Sequence, residues 1–393
     1  MELAATFERD VTLTDGTVLH VRPVRSDDRE RLAHLHAHDL SDTSSYSRFF
    51  GLRRYLPPSF LDHMAEFDPP NRVSVVGVRG DRIVAVGTYN REGEGAVEVA
   101  FAVADDFQRH GIGTILLEDL AVIAKAAGFR QLTAHTLAGN RAMMRVFSQV
   151  GLVTRHRLDS GVVDIEIDLT DDDSLLSRSD EREWAAQAAS MQPYLTPRSV
   201  VVIGAGREPT SPGHRIAANA RLGFTGELAV VRPDGASIAG VTGYRTVADV
   251  PFAIDLAIVV VPAGAVPGVL EECGRAGVRA LVVISAGFSE GDGTSTTTSD
   301  ADLVTVAHRY GMRLLGPNCL GVIAPAVGLD ATFSSVTAPV GGVAFASQSG
   351  GLGIAVLAEA AERGIGISSF VSLGKKSTAD RETPCGACRP SAV

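Results

Sequence analysis

Gln108-Arg109-His110-Gly111-Ile112-Gly113-Thr114 joins an alternating apolar run, Ala96–Val103, to a long apolar stretch that Gly128 closes. The first run has strand periodicity and the second has the periodicity of a helix. Two glycines at the junction let successive backbone N–H groups converge on one point without a Cβ in the way. The helix start adds the positive end of its dipole. The spacing therefore predicts a pyrophosphate cradle between a strand and a helix, in an α/β domain.

Outward from this loop the same alternation continues. A hairpin is expected over 11–24 with its turn at Asp15-Gly16, then a helix from Ser26 to about Leu40. Strands follow at 72–78, 83–89 and 131–136, a helix at 140–150, and closing strands at 152–157 and 162–169. Residues 1–170 form the first expected domain. Asp171-Asp172-Asp173-Ser174 opens a polar, acidic linker, and 171–196 is read as linker plus a short helix over 181–191.

A Gly- and Val-rich regime begins at 197. Short apolar runs at 199–203, 228–231, 256–261, 280–284 and 313–315 alternate with helical patterns at 266–276 and 300–310. Such alternation implies a parallel, doubly wound sheet over 197–338. Small polar residues over 291–299 read as a flexible loop. Residues 339–374 give strand, helix, strand and then stop, and 375–393 reads as a disordered tail containing Cys385 and Cys388, expected to be incidental.

Val200-Val201-Val202-Ile203-Gly204-Ala205-Gly206 runs a strand into a glycine turn. A dinucleotide fingerprint would need a third glycine where Pro209 stands, and an acid near Val231-Arg232-Pro233, where an Arg suits a phosphate better. NAD is therefore not expected.

Composition narrows the function classes. The 393 residues suit two or three domains, and 45% hydrophobic against 21% charged residues exclude disorder over most of the length. A net charge of −10 argues against a nucleic-acid binder, and four Cys exclude a disulfide framework. No apolar run approaches the ~20 residues that span a bilayer, and 1–20 lacks a signal-peptide pattern. A cytoplasmic protein without membrane or nucleic-acid partners is expected. His34 and His38 stand one helical turn apart, but no third ligand accompanies them and no metal is expected.

Gln108, Gly111 and Gly113, with Asn140-Arg141-x-Met143-x-x-Val146-Phe147 downstream, resemble the acyl-CoA loop and second motif of the GNAT acetyltransferases. The resemblance implies a mixed sheet with helices, acetyl-CoA as co-substrate, and contacts from Gln108, Arg109, His110, Gly111, Ile112, Gly113, Thr114 and Asn140. It assigns Glu98, on the strand before the loop, as general base, and expects a bulge there that splays the strand. The stretch 41–51 falls where the family builds the acceptor side of its cleft; Phe49 and Phe50 are read as core.

The segment from 181 to 374 resembles NDP-forming acyl-CoA synthetases. Val283-Ile284-Ser285-Ala286-Gly287-Phe288 and Leu315-Gly316-Pro317-Asn318-Cys319-Leu320-Gly321 carry the likeness. It implies a Rossmann-like CoA-binding domain with Gly204, Ala205, Gly206, Ser285 and Asn318 at the CoA, then the start of a flavodoxin-like domain. Ser347-Gln348-Ser349-Gly350-Gly351 resembles that domain's phosphate turn. The last histidine is His308, so the phosphohistidine of a working synthetase is missing and the chain reads as C-terminally shortened.

Together the halves resemble Pat-type protein lysine acetyltransferases, whose substrates include AMP-forming acyl-CoA synthetases. Three alternatives remain open: acetylation of a small amine, a CoA-binding sensor, and a synthetase remnant. Oligomeric state is not indicated.

Overall fold

The computed structural model describes residues 7–150, 152, 154–170, 173–288, 299–337 and 339–374, with backbone only over 173–180. The expected 291–299 loop, apart from Ser299, and the 375–393 tail with its Cys pair lie outside the described residues. The chain divides into two compact units, the first ending at Ala186 and the second beginning at Gln187.

The first unit contains β1 (Arg9–Thr12), β2 (Val18–Pro23), α1 (Arg29–His34), α2 (Asp42–Phe49), α3 (Pro58–Ala65), β3 (Arg72–Arg79), β4 (Arg82–Arg91), β5 (Ala96–Val103), α4 (Ile112–Ala126), β6 (Gln131–Leu137), α5 (Arg141–Gln149), β7 (Thr154–Asp159) and β8 (Val162–Asp168). Its eight strands run in the order β1-β2-β3-β4-β5-β6-β8-β7. From β2 to β7 the neighbours are antiparallel except β5 and β6, which are parallel. Helix α4 is an apolar rod laid on this sheet. Leu116, Leu117, Leu120, Ala121 and Ala124 are fully buried, in one cluster with Val97, Val99 and Phe101 of β5. The alternation in β5 holds: those three face the core while Glu98 and Ala100 are half-buried on the other face.

The 171–179 segment departs from expectation. From Asp173 it is helical, part of an 18-residue helix, α6 (Asp173–Ser190), rather than a linker before a short one. Acidic and hydroxyl residues at a helix start satisfy its N–H groups and dipole, so the polarity read as linker is equally that of a helix N-terminus. In the first unit, Arg182 of α6 hydrogen-bonds Glu118 of α4, a side chain only 6% exposed. Beside it, Arg9 reaches the buried Asp119 at 2.7 Å. Replacing Arg182 by Met should cost about 1–2 kcal/mol, because the Glu118 carboxylate loses a charged donor it cannot replace with bulk water. The first unit's thermal midpoint in the full chain should fall by about 2–8 °C. Calorimetry showing an unchanged midpoint would mean α6 is only loosely attached.

The second unit contains α7 (Gln192–Leu195), β9 (Ser199–Ile203), α8 (Pro212–Gly223), β10 (Glu227–Val231), β11 (Gly243–Tyr244), β12 (Leu256–Val259), α9 (Val266–Arg275), β13 (Ala280–Val283), α10 (Asp300–Arg309), β14 (Arg313–Leu315), β15 (Gly321–Ala324), β16 (Leu329–Thr332), β17 (Val340–Ser347), α11 (Gly350–Glu362) and β18 (Ile367–Ser372). Strands β11-β10-β9-β12-β13-β14 form one all-parallel sheet with apolar clusters on both faces, as buried parallel strands require. A second sheet, β16-β15-β18-β17, is mixed: β17 and β18 are parallel, joined through α11, while β15 pairs antiparallel with both β16 and β18. The hairpin 321–332, grouped from sequence with the preceding domain, therefore shares a sheet with the 340–372 strands. Its two four-residue runs are too short to show a period of their own.

Candidate functional site

A cleft of about 600 Å³ opens in the first unit, lined from β5, β6, α2, α5 and the loop that starts α4. Its cause lies in strand pairing. β5 and β6 pair at Ala96↔Gln131, Val97↔Leu132 and Glu98↔Thr133, and no further. Beyond that point both strands continue, but apart. The expected bulge is not what separates them: β4 pairs with β5 without a register shift from Ala85↔Val103 to Arg91↔Val97. Divergence from β6 opens the sheet, and Val99 to Val103 then line the cleft along the edge β6 has left. Glu98 stands at the fork.

The opposite wall is the predicted cradle. Gly111 is the N-cap of α4 with φ +85°, a left-handed conformation that side-chain-bearing residues rarely adopt. Gly111, Ile112, Gly113 and Thr114 line the cleft, so the first N–H groups of the 15-residue α4 border it. A Cβ on Gly111 would lie 3.2 Å from Thr14 Cγ2, and one on Gly113 3.3 Å from Val146 Cγ2. A polyanion with amide-bearing arms fits this arrangement: dipole and N–H groups at one end, an unpaired strand edge at the other.

Three predicted residues make contacts within the protein. Gln108 lines the cleft, but its Nε2 donates to Ser44 Oγ at 3.0 Å, Val103 O at 3.2 Å and Asp105 Oδ1 at 3.0 Å. Asp105 also accepts from Ser41 N at 3.2 Å and Ser44 Oγ at 2.7 Å. Gln108 and Asp105 together fasten α2 to the loop. His110 does not line the cleft; its Nε2 lies 3.6 Å from Asp15 Oδ2. The flanking glycine and left-handed Arg109, φ +68°, redirect the chain at that point. Asn140 lines the cleft, but its Oδ1 accepts from Met143 N at 3.1 Å, capping α5. That leaves its amide N–H groups for a ligand.

The acceptor side comes from α2 and the residue after it: Thr43, Ser44, Ser47, Arg48 and Phe50 line the cleft. Phe49 is half-buried against Phe60 and His36, and Phe50 is 44% exposed on the cleft wall, against the reading that placed both in the core. Its left-handed C-cap position, φ 55°, turns it out of the helix. Burial pushes the Arg48 guanidinium down to about 10, with the nearby Glu98 carboxylate pulling the other way. Sequence gave no signal for Arg48 at the site, nor for His135 of β6, which also lines it. His34 and His38 pack ring on ring at 4.8 Å; among the described residues no group of three or more His, Cys, Asp or Glu gathers as a metal set.

In the second unit, Gly204 ends β9 with φ +92°, and a Cβ there would sit 2.6 Å from the Val260 carbonyl oxygen. At Gly206 a Cβ would meet Ser211 Oγ at 2.6 Å, and at Gly213 it would meet Ala205 Cα at 2.8 Å. The turn is packed closely onto the start of α8, which brings helix N–H groups behind it. Arg232, expected to suit a phosphate, instead ion-pairs with Asp234 and donates to Ala205 O at 2.9 Å, bracing the turn. Ser285 Oγ donates to Val261 O at 2.5 Å, and Asn318 N donates to Ser285 O at 3.0 Å with Asn318 at φ 56°. These ties join the ends of β12, β13 and β14, the carboxyl edge where open α/β sheets bind ligands. Ser349 caps α11 by accepting from Leu352 N at 3.2 Å.

No helix among the described residues is long and apolar enough to cross a membrane. Residues 198–325 match the CoA binding domain family and 340–383 the succinyl-CoA ligase like flavodoxin domain. Over 190 residues the chain is 44% identical to the ADP-forming acetate–CoA ligase I of Archaeoglobus fulgidus, covering 48% of this chain and 27% of that protein. It spans 40% of the alpha subunit of the ADP-forming acetate–CoA ligase II of Pyrococcus furiosus, at 39% identity. The solved GNAT domain of S. lividans PAT shares 34% identity with a TM-score of 0.40, covering 42% of this chain and 98% of that one. An acetyltransferase of Pseudomonas aeruginosa is 31% identical over 147 residues, 36% of this chain and 78% of that protein. With residues 37–152 matching it directly, the chain belongs to the acetyltransferase (GNAT) family, and it carries a CoA-binding, ligase-like module after that domain.

Proposed function

We propose that the first unit transfers an acetyl group from acetyl-CoA to the side-chain amine of a protein lysine. The observation that carries this reading is Glu98 at the fork of β5 and β6, on the wall of the cleft that the start of α4 also borders. An ammonium has no lone pair, so the incoming lysine must lose a proton before it attacks. Glu98 takes that proton, directly or through one water. The amine nitrogen then bonds the thioester carbon, the carbonyl oxygen collects charge against the free N–H groups of the β5 edge, and the C–S bond breaks. The sulfur leaves as thiolate and takes up the second proton from nitrogen, giving an amide and free CoA.

The second unit binds a CoA species without ligating it. The packed turn at Gly204 to Gly206 and the Ser285–Asn318 tie support binding. The purified chain should form no acetyl-CoA from acetate, CoA and ATP; acetyl-CoA production would overturn this. The first unit's reading is tested by incubating the chain with labelled acetyl-CoA and candidate proteins, AMP-forming acyl-CoA synthetases among them, and mapping acetyl-lysines by mass spectrometry. Label found only on small amines would favour the small-molecule alternative.

A further inference from the structure

We propose that His135, oriented by Asp164, is a second proton-accepting group of the acetyl-transfer cleft and carries away the proton that Glu98 removes; this rests on the amine-acetylation reading above. His135 lines the same cleft as Glu98. Thr133 is the register partner of Glu98 across β5 and β6, so the two side chains project from the same side of the sheet. His135, two residues on, projects from that side too, just past the fork. Its own cross-strand partner on β8 is Asp164, and His135 Nδ1 lies 2.8 Å from Asp164 Oδ1.

A carboxylate only accepts, so this hydrogen bond places the proton of neutral His135 on Nδ1 and leaves the Nε2 lone pair as the proton acceptor. The same carboxylate stabilises the imidazolium once Nε2 is protonated. Both side chains are 41% exposed, so the pair can hand its proton to solvent. The reaction requires such an exit. Two protons leave the ammonium: one ends on the CoA sulfur and the other in bulk water, and a Glu98 left protonated could not serve the next turnover. The charged groups on the same face around the pair are Glu98 on β5, Glu166 on β8, Arg157 and Arg155 on β7, the register partners of Asp164 and Glu166, and Glu92, which accepts from Thr133; Arg145 of α5 lines the same cleft. The bond order along the path is simple: N–H breaks at the substrate, O–H forms and breaks at Glu98, N–H forms at Nε2 and is lost to water.

The test uses the full chain, a lysine-bearing peptide and acetyl-CoA, with His135→Gln, Asp164→Asn, Glu98→Gln and the Glu98→Gln/His135→Gln double variant. Affinity for acetyl-CoA and thermal midpoints are measured alongside. His135→Gln should lower kcat by ~10–10² near pH 7.5, less than the ~10²–10⁴ of a group that takes the proton from the substrate directly. The loss should shrink as pH falls, because a protonated imidazole can no longer accept a proton. Asp164→Asn should reproduce part of that loss with the same pH trend. The double variant should be no slower than Glu98→Gln alone, since both residues serve one proton path. A loss independent of pH, losses that multiply in the double variant, or loss of acetyl-CoA affinity with kcat unchanged would each overturn the relay while leaving amine acetylation standing. A parent chain that acetylates no amine would overturn the reading beneath it and the relay together.

Discussion

Glu98→Gln should reduce acetyl transfer by ~10²–10⁴ while leaving acetyl-CoA affinity intact. Gln keeps the size and hydrogen-bonding reach of the side chain and removes only its basicity. Glu98 is half-buried on the face of β5 opposite Val97 and Val99, so no core contact changes. The cradle at Gly111–Thr114 is on another element, which is why binding should survive. The pH dependence distinguishes the mechanism. As pH rises toward the free-lysine value of about 10.4, a growing fraction of the amine arrives already neutral. The parent-to-variant ratio should therefore shrink with increasing pH. A variant within a few-fold of the parent at every pH would make Glu98 an ordinary strand residue. Joint loss of binding and thermal stability would make it structural. Arg48, half-buried, shares the cleft wall: Gln removes the nearby carboxylate charge that favours its guanidinium. Comparing Glu98→Gln with Glu98→Asp, which keeps the charge and withdraws the carboxylate by one methylene, separates that effect from lost basicity.

What the sequence made legible is what local periodicity encodes. The alternation of 96–103 fixed which face of β5 carries Glu98, and the two glycines after it marked the start of α4. The buried apolar runs of the second half marked an all-parallel sheet because strands covered on both faces have no polar alternation to hide them. What stayed hidden depends on register between distant segments. Asp164 and His135 are 29 residues apart and meet only because β6 and β8 pair at that step. Gln108 and Ser44 are 64 apart, and nothing nearby in sequence announces the hydroxyl that Gln108 holds. The fork itself was anticipated for a different reason: a bulge in β5 was expected, whereas β5 keeps its register with β4 and β6 departs. Strand divergence leaves no residue-type signature, since each strand continues with the same alternation. His36 shows the complementary limit. In the His34–His38 cluster it is the inward one, 2% exposed, and burial, then the charge of Arg48, push its imidazole down to about 3, so it acts as a neutral core ring against Phe49. Nothing in an evenly spaced histidine triplet says which ring turns in, and the 35–39 turn is π-helical, which shifts the face each presents.

Gly111→Val should remove acetyl-CoA binding from the first unit without unfolding it. At φ +85° a β-branched residue is strained by about 1–2 kcal/mol. That is small against the ~5–15 kcal/mol that hold a domain folded. The Cβ would stand 3.2 Å from Thr14 Cγ2, and the two γ-methyls beyond it must enter the space at the helix start. A pyrophosphate kept out of that space loses hydrogen bonds of the charged kind, each contributing about 1.5–3 kcal/mol. Losing two corresponds to a ~10²–10⁴ fall in affinity. Gly111→Ala, with the backbone strain but no γ-methyls, should fall between parent and Val variant. Because the second unit is proposed to hold a CoA species of its own, total binding is the wrong readout. Calorimetric stoichiometry should drop by one site, and KM for acetyl-CoA in transfer should rise, while the second site keeps its affinity. Unchanged stoichiometry and KM would show that the phosphates rest elsewhere, and the assignment of the Gln108–Thr114 loop as cradle would fall with that result.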